Sequence, residues 1–130
     1  MTEAITVRQG VLSDCKTLVP LIASFRDDMG QREPGLDAIE SSLQRLIPDR
    51  STEFLLALDE KRKPVGYSQL RFRHSLWVAG IEAQLDDLFV LPTARRGGVG
   101  AQLLAASIKR ARERGVRVLG LNTNEQTSTR

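Results

Sequence analysis

The stretch DLFVLPTARRGGVGAQLL, Asp87 to Leu104, decides how this chain folds. An apolar run stops at Pro92, Arg95 and Arg96 meet Gly97, Gly98 and Gly100, and an apolar pattern resumes at a new spacing. The first run reads as a strand, and apolar residues at 103, 104, 108 and 111 after the glycines read as a helix. Strand, glycine turn and helix in direct succession leave the first N–H groups of the helix without partners, at the positive end of its dipole. Such a junction is an anion site. Glycine tolerates unusual backbone angles there and lets a ligand approach without meeting a Cβ. Arg95 and Arg96 add long cationic arms beside it, and Pro92 helps to end the strand.

Working outward, residues 4 to 8 alternate apolar and polar and predict a strand. Ser13 and Asp14 are capping types ahead of a helix whose apolar face is Leu18, Leu21, Ile22 and Phe25, with Pro20 expected to bend it or break it early. A second amphipathic helix carries Leu36, Ile39, Leu43, Leu46 and Ile47 and closes at Pro48. Two strands follow as a hairpin across Asp59 to Lys63, then HSLWVAG as a connection, with His74 and Trp77 in it, and EAQLDDLFV as a further strand. After the glycine junction, Leu103, Leu104, Ile108 and Ala111 form a helical stripe ended by Gly115, and VRVLGL, residues 116 to 121, reads as a buried strand. The expected order is β-α-α-β-β-β-α-β in one domain over residues 1–130.

At 130 residues the chain suits a single core. No window approaches the roughly 18 uninterrupted apolar residues of a membrane span, the N-terminus carries no secretory pattern, and a cytoplasmic protein is expected. Nineteen basic against sixteen acidic side chains give +3, which with few aromatics argues against nucleic acid. Lys109, Arg110, Arg112, Arg114 and Arg117 concentrate positive charge late in the chain, either as a solvated helix face or as a contact for a polyanion. The single cysteine, Cys15, excludes an internal disulfide and reads as a buried spectator thiol or as one acidified in a first helical turn. His74 is the lone histidine, and no metal is expected.

The junction fails the dinucleotide fingerprint, because Leu103 stands where a third glycine belongs, and fails the P-loop for want of a Lys-Ser or Lys-Thr pair. What it matches is R-x-x-G-x-G at Arg95, Gly98 and Gly100. With LFV before it and AQLL after it, Leu85 to Leu121 resembles the Gcn5-related N-acetyltransferases, whose acetyl-coenzyme A motif [QR]-x-x-G-x-[GA] lies between the fourth strand and third helix. The resemblance implies an α+β fold with a central mixed, mostly antiparallel twisted sheet flanked by helices. It implies that N–H groups across Arg95, Arg96, Gly97, Gly98, Val99, Gly100 and Ala101 hold the pyrophosphate of acetyl-CoA. Leu88, Phe89 and Val90 would lie along the pantetheine arm, with an N–H near Val90 donating to the thioester oxygen.

Acetyl transfer to an amine also needs a group to take the amine's proton. Asp86 and Asp87 are the candidates, expected on opposite faces of the strand because its period is two. Glu82 is a third, and Gln84 sits near where some relatives carry an acidic base. Relatives use a tyrosine after the fifth strand for the leaving thiolate, but NTNEQTSTR, residues 122–130, holds none. The C-terminal elements are therefore expected to be missing, with the chain shorter than the natural protein. Tyr67, on an inner strand, is expected to pack. Asp27, Asp28 and Glu33 would lie over the acceptor or form a solvated turn, and Trp77 would cap the acceptor pocket or rest on the sheet. The expected function is transfer of acetyl from acetyl-CoA to a small primary amine by direct attack in a ternary complex. The alternative is a non-catalytic acyl-CoA sensor. An uncovered edge at 116–121 would favour pairing of two copies.

Overall fold

A computed structural model describes residues 4–121. Its elements are β1 (Thr6–Gln9), α1 (Cys15–Asp28), α2 (Leu36–Leu46), β2 (Thr52–Leu58), β3 (Pro64–Ser75), β4 (Gly80–Val90), α3 (Val99–Glu113) and β5 (Val118–Leu121). Short 3-10 turns at Leu12–Asp14 and Pro92–Ala94 precede α1 and α3. The strands lie in the order β1-β2-β3-β4-β5, antiparallel except for the last pair, where α3 carries the chain over so that β5 runs parallel to β4. The mixed, mostly antiparallel sheet flanked by helices is the expected fold. The expectation for residues 122–130 lies outside the described residues.

Both sheet faces are covered, so β2 is buried at every position. On one face Phe54, Leu56, Leu58, Tyr67 and Phe89 meet Leu18, Leu21 and Phe25 of α1 and Ile39 and Leu43 of α2. On the other, Leu55, Ala57, Val65 and Val90 meet Val99 and Leu103 of α3. The alternation of Phe54, Leu55, Leu56 and Ala57 between these clusters is the period of two working on a strand with two dry sides.

Pro20 does not break α1, which runs on to Asp28, so the early break offered as one alternative does not occur. Pro20 and Lys16, whose carbonyl loses its helical donor, are both exposed, and water can serve that carbonyl. Asp14 stands at the helix start but makes no capping bond. Its carboxylate instead accepts from the Val11 N–H at 2.8 Å and from both terminal nitrogens of Arg8 at 2.8 and 2.9 Å. Leu36 is exposed rather than packed, because α2 begins there and its buried residues are Ile39 and Leu43. The stripe of α3 runs through Val99, Leu103, Ser107 and Ala111, with Ser107 taking the buried place expected for Ile108. Its hydroxyl bonds that of Ser68 at 2.8 Å, which satisfies both groups in the core. The last hairpin is longer than expected: β3 includes His74 and Ser75, and the turn is confined to Leu76–Ala79.

Gly30 and Gly115 end α1 and α3 in the left-handed conformation. In each case the following N–H reaches back, Gln31 to Arg26 at 3.0 Å and Val116 to Ala111 at 3.1 Å. The glycine's own N–H bonds one carbonyl nearer the helix end, completing the Schellman pattern.

The Arg8 hydrogen bonds hold the Asp14 carboxyl below its usual value of 3.8. A carboxylate lowered on folding contributes stability above its unfolded value and loses it as pH falls through the folded one. Asp14→Asn is expected to cost about 2 kcal/mol at pH 7 and to fade in effect in acid below the free carboxyl's value. Thermal unfolding of both proteins across pH checks this, and parallel curves at every pH would refute it.

Candidate active site

β4 carries one residue more than its partner. Gln69 pairs with Asp87 and the next residue, Leu70, pairs with Leu85, so Asp86 is the extra residue of a bulge. The bulge resets the alternation. Leu85 and Leu88, an odd number of residues apart, both pack under α3, and Val90 continues that face. Asp87 and Phe89 lie opposite Gln69 and Tyr67 on the α1 side. Asp86 pairs with Arg71 and Glu82 with Arg73, which share that side by alternation along β3. Asp86 and Asp87 therefore share a face, and the expectation of opposite faces is overturned.

Their surroundings separate the two carboxylates. Asp87 accepts the Tyr67 hydroxyl at 3.1 Å. Burial pushes its carboxyl above the usual value; Tyr67's hydrogen bond opposes that, Asp86's charge adds to it, and Arg71 opposes it. Tyr67 is fully buried, edge-on to Phe25 with ring centres 6.4 Å apart. Burial, the Asp87 charge and the hydrogen bond to Asp87 push its phenol well above 10. It packs, as expected, and in addition it holds a carboxylate. Gln84 turns to β5, its Oε1 lying where a Cβ on Gly120 would come within 2.7 Å. A hollow of about 460 Å³ beside Asp86 is lined by Arg71, Arg73, Glu82 and Gln84.

Beyond the bulge β4 ends in a cleft. Leu91 N–H bonds Val65 at 2.8 Å, so by ladder alternation the polar groups of Val90 point away from β3. Pairing with β5 spans Glu82 to Leu85 among the described residues, and Leu88, Phe89 and Val90 lie past it. Phe25, Leu88, Phe89, Val90, Arg95 and Gly100 enclose about 230 Å³ there. Gly98 caps α3 at φ +77, a left-handed angle that favours glycine. The first intrahelical bond joins the Gln102 N–H to the Gly98 carbonyl at 3.1 Å. The N–H groups of Val99, Gly100 and Ala101 come before it, ahead of the ladder. A Cβ on Gly100 would meet only Val90 Cγ2, at 3.8 Å, so the protein's own packing does not require this glycine.

Arg95 is no free arm beside this mouth. Its Nε donates to the Val90 carbonyl at 2.9 Å, its terminal nitrogen reaches Asp28 at 3.3 Å, and its guanidinium lies 5.6 Å from the Phe89 ring centre. Arg96 is exposed, as are Asp27 and Glu33. Phe25, stacked on Phe89 at 5.1 Å, was not singled out as a cleft residue by the sequence, whereas Asp28, one of the acidic residues expected at this helix junction, meets Arg95. Trp77 stands exposed at the hairpin tip, touching neither pocket nor sheet core, and His74 belongs to β3. The late basic cluster is partly structural: Arg110 and Arg114 both bind Glu53, which is buried. Cys15 is buried and its thiol is pushed up by burial, then by Glu40 and Asp14, the reverse of activation.

The model of the Acetyltransferase (GNAT) family matches residues 19–129, and the chain belongs to that family. A protein of Bacillus subtilis (strain 168), the uncharacterized N-acetyltransferase YhfO, is 31% identical over 117 residues, spanning 90% of this chain and 77% of the relative. An integron cassette protein from the mobile metagenome of Cole Harbour Salt Marsh has a solved structure that superposes with a TM-score of 0.83 at 30% identity, covering 90% of this chain and 76% of that one. An aminoglycoside N-acetyltransferase solved in complex with CoA superposes with a TM-score of 0.80, covering 97% of this chain and 81% of that one; at 19% identity the likeness is one of fold. Membership supports an acyltransferase that draws its acyl group from a coenzyme A donor. No described helix is long and apolar enough to cross a membrane.

A carboxyl raised on folding contributes stability below its unfolded value and loses it as pH rises through the folded one. Asp87→Asn keeps an oxygen for the Tyr67 hydroxyl and removes the buried charge. The variant is expected to melt higher than the parent at pH 7 to 8, with the margin shrinking toward pH 4 and below. A margin that does not change with pH would contradict the burial of an ionised Asp87.

Proposed function

We propose that this protein transfers an acetyl group from acetyl-CoA to the primary amine of a small molecule, by direct attack while both substrates are bound. The observation that carries this reading is the junction of the Val90 backbone with the start of α3 across one cleft. N–H groups of Val99, Gly100 and Ala101 would receive the pyrophosphate, where the helix dipole favours an anion. Leu88 to Val90 would pair with the pantetheine arm as a strand pairs with an extended peptide. The outward Val90 N–H would donate to the thioester oxygen, and a preorganised donor of that kind contributes about 3 kcal/mol to barrier lowering.

An amine with a pKa of about 10 arrives as an ammonium. Asp87 would take one proton from it, helped by a carboxyl raised toward neutrality by burial. It lies two positions from Phe89, about 7 Å along the strand from the cleft wall. The neutral nitrogen then attacks the thioester carbon. The C–N bond forms, the C–S bond breaks, and the departing sulfur takes up the remaining excess nitrogen proton through solvent. Asp86 and Glu82 line the adjoining hollow together with Arg71 and Arg73. Asp86 and Glu82 are each held by an arginine, and Asp87 is the carboxylate left to serve as base.

Free thiol should appear when the protein is mixed with acetyl-CoA and a panel of primary amines. Binding of acetyl-CoA without turnover on any amine would turn the reading into that of an acyl-CoA sensor. Gly100→Asp should weaken CoA binding about 100-fold or more in calorimetry, about 2.7 kcal/mol, because its carboxylate would occupy phosphate space. Its melting temperature should not fall, since an acidic residue in a first helical turn is favourable and the Cβ has room. Unchanged CoA affinity would remove the phosphate cradle from α3.

A further inference from the structure

The bulge at Asp86 brings together a group of side chains that the proposed reaction uses at one member, Asp87. Resting on the reading of Asp87 as the base, we propose that Tyr67 and Asp86 are positioning residues that act on its carboxylate in opposite senses, Tyr67 holding the charge and Asp86 opposing it.

Tyr67 is built for a single partner. Its ring is fully buried, set against the stacked Phe25–Phe89 pair with each ring centre at 6.4 Å. Its hydroxyl donates to Asp87 Oδ2 at 3.1 Å. A phenol so buried stays protonated throughout the working range, so the O–H is a permanent donor aimed at one carboxylate oxygen. Donation to the charged form favours that form. Asp86 acts the other way. It is the next residue, turned to the same face by the bulge, and a like charge beside a carboxylate disfavours ionisation.

The charged and titratable groups that bear on Asp87 come from two strands: Tyr67 and Arg71 from β3, and Asp86 from β4 itself. Gln69, opposite Asp87 in register, is neutral, and α1 packs on the Tyr67 ring with the apolar Phe25. Arg71 binds Asp86 through Nε and is itself largely exposed. Water screens its pull on Asp87. A base is served by this balance. Ionised too readily, the carboxylate would be a poor proton acceptor; protonated at neutral pH, it could not accept at all.

The test follows the Asp87 carboxyl by 13C NMR titration, which needs no turnover, beside the pH profile of kcat/KM. Tyr67→Phe keeps the ring and removes the donor. It should raise the Asp87 midpoint and the acidic limb of the profile by about one pH unit. Asp86→Asn removes the like charge and frees Arg71, and it should lower both by about half a unit. Shifts of opposite sign support the proposal. Midpoints that stay put in both variants, or move in the same direction, overturn it. If Tyr67→Phe fails to fold, the sign of the Asp86→Asn shift decides. Asp87→Asn separates this from the proposed reaction: an acidic limb that survives in it removes Asp87 as base, whatever the titration shows. A limb that vanishes in it but is indifferent to Tyr67 and Asp86 leaves the base in place and refutes the positioning.

Discussion

The extra residue in β4 governs both halves of the site. Without Asp86 as a bulge, strict alternation after Ala83 and Leu85 would bring Asp87, not Leu88, beneath α3, and a carboxylate would stand in that apolar layer. With it, Ala83, Leu85, Leu88 and Val90 all stay under α3 while two acidic residues move to the α1 side. A bulge also bends its strand and sharpens the local twist. The same inserted residue that gathers the carboxylates also lies just ahead of the cleft lined by Leu88, Phe89 and Val90.

An amide-rich helix start is useful only if the helix is held still relative to that strand. Two polar contacts do this across the α3 face. Ser107 shares a buried hydrogen bond with Ser68. Glu53 on β2 holds both Arg110 and Arg114, the latter also lying over the Phe72 ring at 3.7 Å. With Glu53 buried and its two arginines half-buried, these contacts fix the last turns of α3 to the sheet. Val99 and Leu103 fix the first turns, and the N–H groups ahead of Gln102 keep one direction.

The fold was legible because its signals are local. The hairpin rests on Asp59, whose carboxylate accepts from Lys61 and Lys63 N–H groups at 2.8 and 2.9 Å. Gly115 announces a helix end that forms as expected, and Gly98 proves to need its left-handed angle. What was not legible depends on contacts between distant segments. Ser107 looks polar until Ser68 arrives across the sheet, and Arg110 and Arg114 look like a solvated face until Glu53 is placed beneath them. The bulge had a sequence signal: apolar residues at 83, 85, 88 and 90 step by two, three and two. An odd step within an alternating strand marks an inserted residue, and reading Asp86 and Asp87 by a uniform period lost it.

Arg95 joins the two sides of the cleft. Its place in the glycine motif suggested a ligand contact, yet its guanidinium spans from the Val90 carbonyl to Asp28 at the end of α1 and covers the Phe89 ring. Phe25, one turn earlier on α1, stacks on the same ring. Arg26 donates to the Pro34 carbonyl at 2.9 Å, tying the α1–α2 connection back onto α1. The end of α1 is therefore bonded to the end of β4 through Arg95 and to the following loop through Arg26. Because the Val90 carbonyl belongs to the same residue as the outward N–H, a shift of Asp28 that loosened Arg95 would be felt at the donor itself. The exposed Asp28–Arg95 pair is worth less than about 1 kcal/mol in water. A contact that weak adds little to folding, so Arg95 is placed chiefly by the Val90 carbonyl and the Phe89 ring.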